Sequence, residues 1–328
     1  MREDYPMYVL GLQGSPRKKG NTIDLLSVFL DECEKLGART QTLDVPRMKI
    51  IPCQECGTCE KEGRCPINDD MQHVYHLLRQ ADLIVVATPV FFYGATAQLK
   101  ALIDRAQCLW SRRYVFQLKD PGQDSRIGFS LAVGATKGKD LFDGIDLTFK
   151  YFFDAAGTKF KGSLNYRQIE VPGDIRKHPT ALEDVRRQAS VLIKPYLNRQ
   201  RILFMCTENA CRSQMASAFA RLYAGVQLDV GSAGSAPAEV INPVMEEAML
   251  EKGIDMAYRK PKSLEEVAGY GEPSMIVTMG CGDVCPMFPG VETMAWDLPD
   301  PAGEPIDFMR RVRDDIDRKV KELISRFD

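Results

Sequence analysis

The sequence predicts two doubly wound, parallel-sheet α/β domains, and three observations carry that expectation. At 328 residues and 45% hydrophobic content the chain is longer than one core usually grows. In both halves short β-rich apolar runs alternate with amphipathic helical patterns, the order that builds a parallel sheet covered by helices. Each half also opens on a strand that runs straight into a loop of small and polar residues and then a helix, which places a ligand site at the carboxyl ends of the strands. A helical pattern over 179–197 ends in Asn198-Arg199-Gln200-Arg201, so the chain is divided into domains 1–198 and 199–328.

Taken in order, the strands expected in the first half cover 8–13, 39–45, 83–88, 127–134 and about 159–171, with helices over 22–36, 69–80, 95–108 and 140–156. In the second half strands are expected at 202–205, 227–232, 275–279 and 293–296, with helices at 213–224, 243–252 and 305–327. The first half carries a net charge of +4 and the second −6, a weak argument for mutual attraction.

Composition excludes several classes. A net charge of −2 offers no general attraction to nucleic acid or anionic lipid. The most apolar stretch, 83–97, is interrupted by Pro89 and Gly94 and is too short to span a bilayer, and Met1-Arg2-Glu3-Asp4 lacks the apolar core of a signal peptide. A cytoplasmic location is therefore expected. In that compartment ten cysteines point to metal ligation or redox chemistry rather than to a disulfide framework.

After the first strand comes Gly14-Ser15-Pro16-Arg17-Lys18-Lys19-Gly20-Asn21-Thr22. Main-chain N–H groups and the positive end of a helix dipole suit this loop to a phosphate, although an ordinary βα turn with surface lysines has the same composition. After the third strand, Thr88-Pro89-Val90-Phe91-Phe92-Tyr93-Gly94 sets three consecutive aromatics in a loop, a platform for a flat heterocycle. These segments, with Leu99-Lys100-Ala101-Leu102-Ile103-Asp104-Arg105, resemble the NAD(P)H-dependent FMN reductases of the flavodoxin-like superfamily over nearly all of 7–197. The resemblance implies that Ser15, Arg17, Asn21 and Thr22 hold the FMN phosphate. It also implies that Pro89, Val90, Phe91, Phe92, Tyr93 and Gly94 flank the isoalloxazine, that Gly134, Thr136 and Gly138 close on it, that NAD(P)H is the electron donor, and that the protein is a homo-oligomer.

Cys53, Cys56, Cys59 and Cys65 lie within thirteen residues after the second strand. Four thiolates so spaced can wrap an iron–sulfur cluster or bind zinc, or stand as structural thiols. The spacing resembles that of the iron–sulfur flavoproteins, which implies a [4Fe–4S] cluster. His73, His76 and His178 form no ligand pattern.

The second half opens on Cys206-Thr207-Glu208-Asn209-Ala210-Cys211-Arg212-Ser213 and a helix. A cysteine, five residues and an arginine can ring a tetrahedral oxyanion with N–H groups while the guanidinium binds two of its oxygens. The same field favours the Cys206 thiolate, with Ser213 as a hydrogen-bond donor to the sulfur. Trp296-Asp297-Leu298-Pro299-Asp300-Pro301 supplies Asp300 as general acid, with Asp297 bracing the loop. Cys281 and Cys285 lie in a glycine-rich segment after a strand, and a redox cycle needs such a second thiol to attack an adduct on the first and form a disulfide.

Residues 201–326 resemble the arsenate reductases built on the low-molecular-weight tyrosine phosphatase fold. That implies attack of Cys206 on arsenate or a similar small oxyanion, with Arg212 holding its oxygens and Asp300 protonating the departing hydroxide. Cys281 or Cys285 then displaces arsenite. Thioredoxin, glutaredoxin or a low-molecular-weight thiol are the external reductants that the resemblance implies. Glu208 departs from the glycine common at its position in relatives. The expected function is a fused flavin-dependent oxidoreductase and arsenate reductase. The alternative is a low-molecular-weight tyrosine phosphatase fused to an independent FMN or quinone reductase, against which Ala302 stands where tyrosine phosphatases carry a cleft-lining aromatic.

Overall fold

The computed structural model describes residues 7–268, 271–280 and 290–327. It divides into two compact units, Met7–Gln117 with Arg126–Leu197, and Asn198–Asp328 with Leu118–Ser125.

The first unit is a five-stranded sheet in the order β2-β1-β3-β4-β5, parallel throughout. Its strands are β1 Tyr8–Gln13, β2 Arg39–Asp44, β3 Leu83–Pro89, β4 Ile127–Gly134 and β5 Lys159–Arg167. This is the flavodoxin-like order, whose switch point lies between β1 and β3. Every residue of β1 and β4 is buried, as expected of parallel strands covered on both faces. Helices α1 (Asn21–Lys35) and α8 (Ala181–Ile193) bury Leu25, Phe29, Val185 and Ala189 in one core with Val9, Val85 and Phe129. Helix α6 (Asp143–Ala155) packs on β4 and β5, and its Phe153 explains a glycine in mid-strand, because a Cβ at Gly128 would lie 2.3 Å from that ring.

The remaining helices of this unit are α2 (Thr58–Glu62), α3 (Met71–Gln80), α4 (Ala97–Arg105), α5 (Gln107–Tyr114) and α7 (Asp174–Lys177). The single helix expected at 95–108 is two, α4 and α5, which meet at Ala106. The short α2 was not anticipated. It is bracketed by Gly57 at φ 71° and Gly63 at φ 66°, conformations that glycine adopts without steric cost.

Arg126 is fully buried and donates to the carbonyls of Leu78 (2.8 Å), Ala156 (3.0 Å) and Gly157 (3.2 Å), tying the ends of α3 and α6 to the start of β4. Arg126→Met strands these acceptors and is expected to lower stability by about 3 kcal/mol, read from urea denaturation. A midpoint matching that of the unchanged chain would contradict this.

The second unit has four parallel strands in the order β7-β6-β8-β9: β6 Gln200–Cys206, β7 Leu228–Gly234, β8 Met275–Thr278 and β9 Glu292–Ala295. Helices α9 (Arg212–Ala224), α10 (Pro243–Leu250), α11 (Leu264–Ala268) and α12 (Ile306–Ile324) accompany them. Phe204, Met215, Phe219, Met245, Met309 and Ile316 share its main core. Segment Leu118–Ser125 joins this unit through Lys119, whose N–H donates to Gly253 (2.7 Å) and whose carbonyl accepts from Asp255 (2.9 Å). Nothing in the sequence pattern marks that excursion. No helix among the described residues is long and apolar enough to cross a membrane.

Candidate functional site

The loop after β6 is built around its first residue. Cys206 ends the strand at 2% exposure, in register with Gly234 of β7, and Arg212 begins α9 six residues later. The Cys206 Sγ lies 3.0 Å from Ser213 Oγ, and Asn209 Nδ2 donates to that same oxygen at 2.7 Å. With Asn209 donating to it, the hydroxyl keeps its own proton for the sulfur. Asn209 is buried at φ 49° and its Oδ1 accepts from Gln214 Nε2 (3.0 Å) and the Lys262 N–H (2.9 Å), which fixes the amide. Gln214 in turn accepts from Arg259 (2.9 Å).

Arg212 donates to Asp300 at 2.8 Å and to the Leu298 carbonyl at 3.3 Å, while its buried Nε–H has no acceptor among the described residues. A buried donor without a partner is costly, and a tetrahedral oxyanion in this loop would satisfy it. Asp300 is exposed and accepts from the Ala302 N–H (3.1 Å). The expected nucleophile loop, arginine and acid therefore lie together. Glu208 is exposed, and its carbonyl is engaged by the Ala238 N–H at 3.0 Å. Cys211 is buried, its thiol pushed up to about 12 by burial and by the neighbouring Cys206 and Asp300. Cys281 and Cys285 lie outside the described residues.

Sequence reasoning assigned Gly234 no role of its own. A Cβ there would lie 2.6 Å from the Thr207 carbonyl oxygen and 2.9 Å from the Asn209 nitrogen, so only glycine lets β7 run flush against the oxyanion loop. The only sequence signal was the small-residue run Ser232-Ala233-Gly234.

In the first unit three loops converge at the carboxyl edge of β1, β3 and β4. Gly14 N–H donates to Ala87 (2.8 Å), Thr96 Oγ1 to the Gly14 carbonyl (2.6 Å) and Val90 N–H to Val133 (2.9 Å). Ser15 is buried, its N–H held by Gln13 and its Oγ accepting from the Arg17 N–H at 3.3 Å. Thr22 is buried at the start of α1. Asn21 uses its side chain elsewhere, as a bracket for the segment at Val171 to Ile175: it donates to Val171 and accepts from Gly173 and Ile175. Arg17 donates to the Glu170 carbonyl (3.1 Å).

The aromatic loop closes through paired Phe91 and Gly94, with Phe92 and Tyr93 at φ 47° and 62° and Phe92 fully exposed. Two aromatic residues held in the left-handed region is a strained arrangement of the kind that clusters at ligand sites. The segment 134–138 lies beside it, since a Cβ on Gly138 would sit 3.4 Å from the Tyr93 hydroxyl. Thr136 is exposed there, and Pro89 ends β3.

The four loop cysteines line one cavity of 590 Å³, together with Cys108, Arg105 and Asp104. Cys53 and Cys56 are exposed, and Cys59 and Cys65 half-buried. Burial pushes the Cys59 thiol up, against a hydrogen bond from Ser111, and Cys65 and Cys53 push it the same way. The exposed Cys56 thiol is drawn down by its hydrogen bonding with Thr58. Among the described residues no three His, Cys, Asp or Glu side chains gather closely enough for a single ion. One tetrahedral zinc would draw four sulfurs to within about 3.8 Å of one another. Four thiols around one cavity supply the donor set that an iron–sulfur core takes.

A five-stranded flavodoxin-like unit and a four-stranded unit with a Cys–x5–Arg loop at its sheet edge define a fusion of an FMN reductase-like domain with a low-molecular-weight phosphatase-type domain. Residues 7–134 match the model of the NADPH-dependent FMN reductase family and residues 201–328 that of the low molecular weight phosphotyrosine protein phosphatase family, and through its second half the chain belongs to the latter. It is 37% identical over 131 residues to an iron–sulfur flavoprotein of Methanocaldococcus jannaschii, covering 40% of this chain and 64% of that protein. The chain thus spans just under two thirds of that relative's length. An arsenate reductase of Bacillus cereus is 37% identical over 129 residues, 38% of this chain and 94% of that protein. The solved thioredoxin-dependent arsenate reductase of Corynebacterium glutamicum is 33% identical at a TM-score of 0.34, covering 45% of this chain and 75% of that one.

Proposed function

We propose that the chain reduces arsenate to arsenite at Cys206 and draws the electrons from NAD(P)H through its own flavin half. The observation that carries the first part is the sulfur of Cys206 beside a donating Ser213 hydroxyl, in a loop whose arginine holds the acid Asp300 and keeps a buried Nε–H without an acceptor among the described residues. Cys206 thiolate attacks arsenic, the S–As bond forms, and one oxygen leaves as water with a proton from Asp300. Cys281 or Cys285 then attacks the Cys206 sulfur. The S–As bond breaks, its electron pair reduces As(V) to As(III), arsenite departs and a disulfide remains.

In the first half Ser15, Arg17 and Thr22, with the main chain at Asn21, would hold the FMN phosphate, and the 89–94 and 134–138 loops would hold the ring. FMN bound there would accept hydride from NAD(P)H and pass electrons on. Ser15→Ala is expected to raise the FMN dissociation constant about tenfold, as loss of one hydrogen bond to a charged group does, measured by flavin fluorescence. An unchanged constant would remove Ser15 from the phosphate site. Cys53, Cys56, Cys59 and Cys65 are the residues that would hold a [4Fe–4S] cluster, which would supply one-electron transfer.

The coupling is tested by incubating the purified chain anaerobically with NADPH and arsenate in the absence of thiol, thioredoxin or glutaredoxin. Many equivalents of arsenite per chain are expected. One equivalent or less would mean that an external thiol regenerates Cys206 and that the flavin half acts on its own substrates.

A further inference from the structure

We propose that Arg105 and Asp69 form a buried clasp whose task is to hold the four-cysteine loop in shape for an iron–sulfur core. This rests on the reading of Cys53, Cys56, Cys59 and Cys65 as cluster ligands. The loop has little of its own to keep it folded: residues 51–56 are exposed throughout, and α2, its one helical turn, buries no side chain. Its two ends are instead gathered onto one guanidinium. Arg105, at the C-terminus of α4, donates through one nitrogen to the Ile51 carbonyl (2.7 Å) and Asp69 (2.7 Å), and through the other to the Ile67 carbonyl (3.3 Å) and Asp69 (3.1 Å). Asp69 accepts in turn from the N–H groups of Ile51 (2.8 Å) and Met71 (3.0 Å). Ile51 is therefore held by both its N–H and its carbonyl. Cys53 stands two residues inside that anchor, and Cys65 two residues inside Ile67.

The pair is 1% and 5% exposed, and burying two charges is costly unless their geometry and hydrogen bonds compensate. Four chain segments converge on it, the start and end of the cysteine loop, α3 and α4, so the compensation is spent on closing this loop. Closure of a flexible segment otherwise costs entropy that its few internal contacts would have to meet. Arg105 also lines the 590 Å³ cavity with the four cysteines, and its buried Nε–H has no acceptor among the described residues. The sulfur atoms of a cluster accept hydrogen bonds that raise its potential, so the donor set suits such an occupant.

The test reconstitutes the full chain anaerobically with iron and sulfide and measures iron, acid-labile sulfide and FMN per chain, for the unchanged protein, Arg105→Met, Arg105→Lys and Asp69→Asn. The unchanged chain is expected to take up about four irons. Arg105→Met and Asp69→Asn should each lower iron and sulfide at least about fivefold while FMN stays stoichiometric. Arg105→Lys should recover at least half of the iron, because the cation still reaches Asp69, and the recovered cluster should show a lower midpoint potential. Normal uptake in both Arg105→Met and Asp69→Asn would overturn the clasp alone, and so would parallel loss of FMN and iron, which marks general unfolding. Failure of the unchanged chain to take up iron would overturn the cluster reading and the clasp with it.

Discussion

Cys206→Ser is expected to lower arsenite formation by at least about 10⁴-fold, because in the proposed reaction the sulfur is both nucleophile and source of one half of the disulfide. A serine oxygen could in principle form an ester with the oxyanion, but no electron pair would then pass to arsenic. Binding should survive, since Arg212, the loop N–H groups and the α9 dipole remain. Cys211→Ser, five residues on, should keep activity within about threefold. Its thiol is buried against Met309, with burial and the neighbouring Cys206 and Asp300 pushing it up to about 12, which favours the protonated, less reactive form. Iodoacetamide labelling followed by fragmentation of the peptide spanning both residues should find the label on Cys206 and none on Cys211 through pH 9. Labelling chiefly on Cys211, or appreciable turnover by Cys206→Ser, would sink the assignment.

The second large effect is expected at a residue with no functional side chain. Gly234→Ala places a methyl 2.6 Å from the Thr207 carbonyl oxygen, 2.9 Å from the Asn209 nitrogen and 3.0 Å from the Glu208 carbonyl carbon. All three are main-chain atoms, so no side-chain rotation relieves the contact, and the oxyanion loop must shift. Asn209 would carry the shift to Ser213, and Ser213 to the sulfur, along hydrogen bonds of 2.7 and 3.0 Å. Misplacement of reacting groups by an ångström costs about 10²-fold, so kcat/KM for arsenate should fall by roughly that factor. Overpacking of this kind also costs about 1–3 kcal/mol of stability. Steady-state kinetics with urea denaturation separates the two effects. A variant with unchanged kinetics would show that the loop tolerates displacement and that its geometry is not what the chemistry depends on.

The parts of both sites that were legible in the sequence are those made within one strand–loop–helix unit. Ser15 to Thr22 and Cys206 to Ser213 follow a strand and begin a helix, so their placement at a sheet edge follows from local pattern, and the structure has them there. The alternation of elements also implied the parallel sheets, because a helical crossover returns the chain to the end of the sheet from which the next strand can run parallel. Tertiary structure decided what depends on distant segments meeting. Asp300 is held by Arg212 from 88 residues away, Gly234 shapes a loop 25 residues upstream, and Arg105 closes a loop that begins 54 residues before it. It also decided that Asn21 brackets the segment at Val171 to Ile175 with its side chain, and that Leu118–Ser125 packs with the second unit. Local composition specifies periodicity and turn chemistry, whereas the partner of a buried charge or the clearance beside a glycine exists only once strand order has brought separate segments into contact.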